Sequence, residues 1–211
     1  LRFLPSLYTV KAAVKENESY VAIENQEDIR AYNALLNKDV NANALLLNDV
    51  TMPSDLIIGN GNNTYTATFD GNGYTMTVAY TDESANAAAP FGALSNGGVI
   101  RNLHVDGDGT AVGCAGGIAL SANNNALIEN CTSSVNVKLL GNSTQSGSSV
   151  VAVQAGGFVG SSDTGAYFTN CLFDGTVTHE SMENSLAYLA GFSGCSTYSP
   201  YLTNSLMLGT V

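Results

Sequence analysis

An asparagine recurs through the second half of this 211-residue chain inside a constant chemical frame, and that repeat limits the fold more than any other feature. Segments 91–109, 115–137, 155–177 and 190–211 align with one another. The second opens Ala115-Gly116-Gly117-Ile118, the third Ala155-Gly156-Gly157-Phe158 and the fourth Ala190-Gly191-Phe192. From Ile118, Phe158 or Phe192 it is twelve positions to Asn130, Asn170 or Asn204, and from Phe91 it is eleven to Asn102. Two places before each Asn stand Ile100, Ile128, Phe168 and Leu202, and one place after stand Leu103, Cys131, Cys171 and Ser205. Gly175-Thr176-Val177 and Gly209-Thr210-Val211 close two of the repeats, with Val135-Asn136-Val137 as a looser copy.

The Asn-to-Asn spacings are 28, 40 and 34, so length varies while the motif holds. A solenoid permits such insertions, because each coil touches only its neighbours. Apolar stretches such as Gly157-Phe158-Val159-Gly160 are too short for helices and read as strands. The expected unit is a coil of about three short strands, stacked on the next coil at ~4.8 Å. Like residues then pile into columns. Strict alternation would put the two apolar columns flanking the Asn on opposite faces; a left-handed bend at the Asn restores both to the interior. The amides of Asn102, Asn130, Asn170 and Asn204 are expected to form a structural ladder along the axis.

Upstream, residues 25–37 give the one convincing helix, with Ile29, Tyr32, Leu35 and Leu36 on one face and acids in the first turn. An exposed coil end leaves strand edges open, so this helix is expected to cap the solenoid. Strands follow at 44–47 and 64–69, then a tight turn at Asp70-Gly71-Asn72-Gly73 and a strand from Tyr74. The organisation expected is a leading strand or linker over 1–20 and one β-helix domain over 21–211. Within it lie the helical cap and first strand (21–50), a first coil (51–90) and four repeats (91–211) that continue past Val211.

Composition narrows the partners. Lys and Arg total 7 against 18 Asp plus Glu, a net charge of −11, which argues against nucleic acid. Charged residues are only 12%, and polarity comes instead from 22 Gly and 23 Asn. No apolar run approaches the ~20 residues of a spanning helix, so no membrane insertion is expected. The chain does not begin with Met and shows no signal peptide, and reads as a mature or trimmed segment. Cys114, Cys131, Cys171 and Cys195 form no C-x-x-C pair, and His104 and His179 lack ligand spacing, which argues against zinc. Cys131 and Cys171 share a column at ~5 Å, within disulfide reach, but stacked strands give poor dihedral geometry and buried free thiols are preferred.

Phe69-Asp70-Gly71-Asn72-Gly73-Tyr74-Thr75-Met76, Phe91-Gly92-Ala93-Leu94, Val99-Ile100-Arg101-Asn102-Leu103 and the Ala-Gly-Gly…Asn-Cys repeats resemble the GLUG-repeat family. That family comprises bacterial surface proteins, and its motif also occurs in non-catalytic parts of IgA-specific metallopeptidases. The resemblance spans about residues 20–211 and includes the lead-in helix at 27–36 followed by 45–50. It implies an all-β fold, a right-handed parallel β-helix, on an extracellular surface protein. It supplies no catalytic residue and no cofactor, and the metallopeptidase motif His-Glu-x-x-His is absent here. Departures are Ser205 at the Cys or Leu position, the blurred Phe192-Ser193-Gly194, and two long linkers.

Three functions follow as expectations. The first is a non-enzymatic surface module, adhesin or stalk, binding a host or cell-surface glycan or protein through loops on a rigid rod. Its candidate loops are linkers 138–153 and 178–188, which fall at one point of adjacent coils and carry Asn142, Ser143, Thr144, Gln145, Glu180, Glu183 and Asn184. The second is a polysaccharide-processing β-helix enzyme, which needs paired carboxylates. Asp106, Asp108, Glu129, Asp163 and Asp174 are the acids of the coils, read here as solvated turn residues. Asp106 and Asp174 share a column at ~10 Å, near the upper end of the inverting range. Lyase chemistry would have only Arg101 or Lys138 as base, and no metal site is expected. Asp106-Gly107-Asp108-Gly109 resembles part of a calcium loop without its remaining ligands and reads as a plain turn. The third is a structural spacer. An open coil end also makes end-to-end self-association an expectation.

Overall fold

The structure, a computed structural model, describes residues 11–16, 18–60, 64–146, 149–180 and 185–211. Four parallel sheets run side by side along one axis, and from Thr68 onward each full turn of chain contributes a strand to each in sequence order. Sheet 1 carries Ala44–Leu46, Thr68–Asp70, Val99–Arg101, Leu127–Glu129, Tyr167–Thr169 and Tyr201–Thr203. Sheet 2 follows it with Val50–Thr51, Thr75–Tyr80, His104–Ala111, Thr132–Leu139, Leu172–Phe173, Thr176–His179 and Leu206–Met207. Sheet 3 holds Ala87–Ala88, Cys114–Gly116, Val153–Gly156 and Ala187–Ala190; sheet 4 holds Phe91–Leu94, Ala119–Ala122, Val159–Ser162 and Ser193–Ser196. The chain is a parallel β-solenoid with four strands per coil, where the sequence suggested three. The extra corner is the Gly-Gly pair between sheets 3 and 4. A Cβ on Gly117 would stand 2.1 Å from the Gly157 carbonyl oxygen, and one on Gly157 would stand 2.3 Å from that of Gly191. Successive coils touch backbone to backbone there, so only glycine fits.

The corner between sheets 1 and 2 is the asparagine. Asn102, Asn130, Asn170 and Asn204 have φ of 53°, 52°, 53° and 47°, all left-handed. Eight of the nine described non-glycine residues with positive φ are Asn, about a third of the 23 in the chain. The bend turns both flanking columns inward: Ile100, Ile128 and Phe168 are 0% exposed, and Leu103, Cys131 and Cys171 at most 2%. Register confirms the stacking, with Phe69, Ile100, Ile128, Phe168 and Leu202 aligned across five coils. One continuous core runs from Val21 to Val177.

The helix spans Gln26–Leu36. The Asn25 side chain caps it by accepting from the Glu27 and Asp28 amides, and Glu27 and Asp28 favour its positive end. Ile29 and Tyr32 are fully buried, and Tyr32 Oη donates to the Ala42 carbonyl or shares a proton with Tyr65 Oη at 2.7 Å. Ahead of the helix, Glu18–Ile23 pairs in parallel with Ala44–Leu46, and Lys11–Lys15 folds back antiparallel to close that edge. Tyr8-Thr9-Val10 lies outside the described residues. Segment 64–69 is shorter as a strand than its sequence suggests, reduced to Thr68–Asp70 plus a Tyr65–Leu94 bridge. The Asp70-Gly71-Asn72-Gly73 turn exists, with Asn72 and Gly73 at φ 54° and 82°. It joins sheet 1 to sheet 2, occupying the place that a single Asn takes in later coils.

Candidate binding flank

Sheet 2 ends where the long linkers begin. Strand Thr132–Leu139 extends past Lys138, and sheet 3 resumes at Val153, so the first loop is 140–152; the second is 180–186. Their described residues lie side by side as register requires. The Ser143 amide donates to Ser185 Oγ at 2.8 Å, the Leu186 amide donates to Ser143 Oγ at 3.0 Å, and His179 Nε2 lies 2.8 Å from the Gly141 carbonyl oxygen. Lys138 and Glu180 form an ion pair at 2.8 Å, half exposed and worth under ~1 kcal/mol. The first loop contains a two-stranded hairpin that the sequence pattern concealed, Thr144–Ser146 against Ser149–Val151, with Thr144 opposite Val151 and Gln145 opposite Val150. Asn142, Thr144, Gln145 and Glu180 are exposed on this flank, whereas Glu183 and Asn184 lie outside the described residues. Sequence reasoning singled out only polar residues. The same flank also exposes Val150, Val151, Leu186 and Tyr188, each 41–53% accessible. Alternation gave no warning of them, because hairpin and loop side chains have no core to alternate against.

Beside the flank, the outer face of sheet 2 forms a cleft of about 350 Å³ lined by Thr81, Glu83, Asp108, Thr110, Asn136, Val137, Lys138 and Thr178. Asp106 and Asp108 are not turn residues. They sit mid-strand in His104–Ala111, paired on both sides, because neighbouring coils supply the ladder that a Gly-Asp pattern alone would not form. Thr176 Oγ1 donates to Asn136 Oδ1 at 3.0 Å, and Asn136 Nδ2 donates to Asp108 Oδ1 at 3.1 Å. Asp106, Ser134 and Asp174 form the adjacent column, in which Ser134 Oγ donates to Asp174. Asp163 caps its own turn by accepting from the Thr164 amide, and Glu129 stacks beside Arg101 in sheet 1. Asp106, Asp108 and Asp174 thus share the outer face of sheet 2, where Asp108 stands with Glu83 in the cleft, while Glu129 and Asp163 lie elsewhere. Glu83 entered the cleft from a loop outside the repeat, so no column pointed to it.

The asparagine corner is a hydrogen-bonded file. Asn170 Nδ2 donates to Asn130 Oδ1 at 3.0 Å, Asn130 Nδ2 to Asn102 Oδ1 at 3.2 Å, and Asn102 Nδ2 to Asp70 Oδ1 at 3.0 Å. Asn204 occupies the same corner in the last coil. Asp70 is fully buried and receives Lys15 at 2.8 Å and Arg101 at 3.1 Å. Burial pushes its carboxyl up, but Lys15, the Asn102 amide group and the Asn72 backbone amide outweigh it and leave the pKa below the usual carboxylate value.

All four cysteines are free. Cys131 and Cys171 point their thiols at the Glu129 and Thr169 carbonyls, at 3.1 and 3.4 Å. Burial raises the thiols of half-buried Cys114 and of buried Cys131 and Cys171, Cys114 and Cys171 to about 11 and Cys131 further, the last with Cys171 adding to the effect. Among the described residues no group of three His, Cys, Asp or Glu could hold a metal ion, and no helix is long and apolar enough to cross a membrane.

Comparison with known proteins reaches the fold and stops there. No family model matches the chain, and no curated protein does, so the GLUG resemblance rests on the motif residues quoted above. Among solved structures, the chain is similar to one described as a "putative immunoglobulin A1 protease" from Bacteroides ovatus. The TM-score is 0.57 at 20% identity, over 89% of this chain and 67% of that one. At that identity the likeness concerns backbone architecture.

Proposed function

We propose that the chain is a right-handed β-helix of an extracellular bacterial surface protein, a non-catalytic module that displays the 140–152 and 180–186 loops to a partner protein. Right-handed winding is the reading favoured by the strong preference of parallel crossover connections. The observation that carries the functional reading is the flank itself. Two loops cross-braced through Ser143 on a stiff scaffold hold Val150, Val151 and Leu186 in solvent, with Tyr188 exposed on the adjoining strand Ala187–Ala190. Exposed apolar side chains gathered beside polar ones are the usual mark of a protein contact surface.

The description of the Bacteroides ovatus protein names immunoglobulin A1, which makes that glycoprotein the first partner to try. Surface plasmon resonance would compare the full chain with a version lacking residues 144–151, against immobilised immunoglobulin A1 and a panel of mucosal glycoproteins. The deletion spares Leu139, which is fully buried and must be kept. Binding that disappears with the hairpin supports the reading. Equal signals from both proteins remove the loops as the site. Silence against the whole panel favours the spacer.

A further inference from the structure

We propose that the cleft on the outer face of sheet 2 is a second site, separate from the hairpin flank, which takes a neutral linear oligosaccharide lying along the solenoid axis. Its floor is two outward columns. One is Asp108 and Asn136, whose file continues to Thr176 outside the lining, the other Thr110, Lys138 and Thr178, and each is held in register by parallel pairing. Thr81 and Glu83, from the turn after strand Thr75–Tyr80, form the wall. The cleft thus crosses four coil levels, roughly 14 Å at the ~4.8 Å coil spacing, long enough for several sugar units in a row.

The chemistry of the lining selects the ligand. Three threonine hydroxyls and one amide both donate and accept, as the hydroxyls of a sugar do. Thr176 donates to Asn136 and Asn136 to Asp108, so the column is already ordered and Asp108 keeps its second oxygen for a ligand hydroxyl. A polyanion meets Glu83 and Asp108, a penalty that a neutral polyhydroxyl chain avoids. The volume of about 350 Å³ lies in the range of small-ligand sites, and seven of its eight lining residues carry polar or charged side chains.

Isothermal titration of the full chain tests this with neutral linear trisaccharides built from hexose, pentose and N-acetylhexosamine units, alongside trigalacturonate and trilysine. At least one neutral trisaccharide should bind, ten-fold or more tightly than its monosaccharide. Asp108→Asn and Glu83→Gln should each weaken it ten-fold or more, while Thr169→Ala on the outer face of sheet 1 leaves it unchanged. Glu83 stands on a loop, so its variant keeps the test valid if the strand substitution disturbs folding. No heat with any neutral trisaccharide, or tighter binding of trigalacturonate or trilysine, overturns the inference. Chromatography of the same mixtures separates this from the non-catalytic reading. Release of shorter sugars overturns that reading and leaves the cleft as a glycan site, and loss of hairpin binding to immunoglobulin A1 leaves this inference standing.

Discussion

Within residues 11–211 the first and last coils differ in how far neighbouring chain covers their columns. At the beginning, the helix lays Ile29 and Tyr32 over the first coil, the Lys11–Lys15 strand pairs back along sheet 1, and Asp70 gathers two cations into the corner. At the last coil, the same columns reach solvent. Leu202 is 47% exposed where its neighbours Phe168 and Ile128 are 0%, and Leu206, Met207 and Leu208 are 43–67% exposed. A residue in this fold is therefore worth what the coil above it contributes. Column position sets its chemistry, and coil number sets its energy.

That difference can be broken or sharpened by substitution. Phe168→Ala should cost ~3–5 kcal/mol in urea unfolding, since it empties a ring packed against Phe158 and Phe192. Leu202→Ala, one coil later in the same column, should cost under ~1 kcal/mol. Equal losses would contradict the contrast between the two levels. Asp70→Ala should cost about 3 kcal/mol by leaving Lys15 and Arg101 without their shared carboxylate. The pH dependence has a definite sign. A carboxyl whose folded pKa lies below its unfolded one contributes stability above the unfolded value and loses it as pH falls through the folded value. Wild type should therefore lose stability as the medium is acidified below pH ~4, and Asp70→Asn should lose less over the same range.

Smaller effects separate backbone from amide. Asn130→Ala should cost about 2 kcal/mol, combining left-handed strain with lost hydrogen bonds. Asn130→Gly, which removes the strain, should cost about 1 kcal/mol. The least energetic test is chemical: Cys131 and Cys171 should resist thiol reagents until the chain is unfolded, measured by mass spectrometry of labelled peptides. Labelling of Cys131 in the folded state would contradict its burial.

The repeat made the corners and columns readable before any coordinates, because a bend that must recur in every coil leaves the same residue type at the same offset. Asn102, Asn130, Asn170 and Asn204 are the clearest instance, and the helix within 25–37 was legible from its apolar face and the acids of its first turn. The fourth side of the coil was not, since Gly116-Gly117 reads locally as a flexible turn and only the neighbouring coil shows that it is a close contact. Asp106 and Asp108 read as a turn for the same reason, their strand being imposed by tertiary pairing. The hairpin within 140–152 and the cleft wall at Glu83 lie in segments present once, where no second copy exists to reveal a pattern.

The amide file also has a polarity. Every described donation in it runs toward the earlier coil, from Asn170 to Asn130 to Asn102 and finally to Asp70. A chain emerging from the ribosome delivers the receiving end first, so each new turn arrives to find its acceptor already in place. Construction of the rod can then proceed as a one-way winding, with the buried carboxylate as its starting peg.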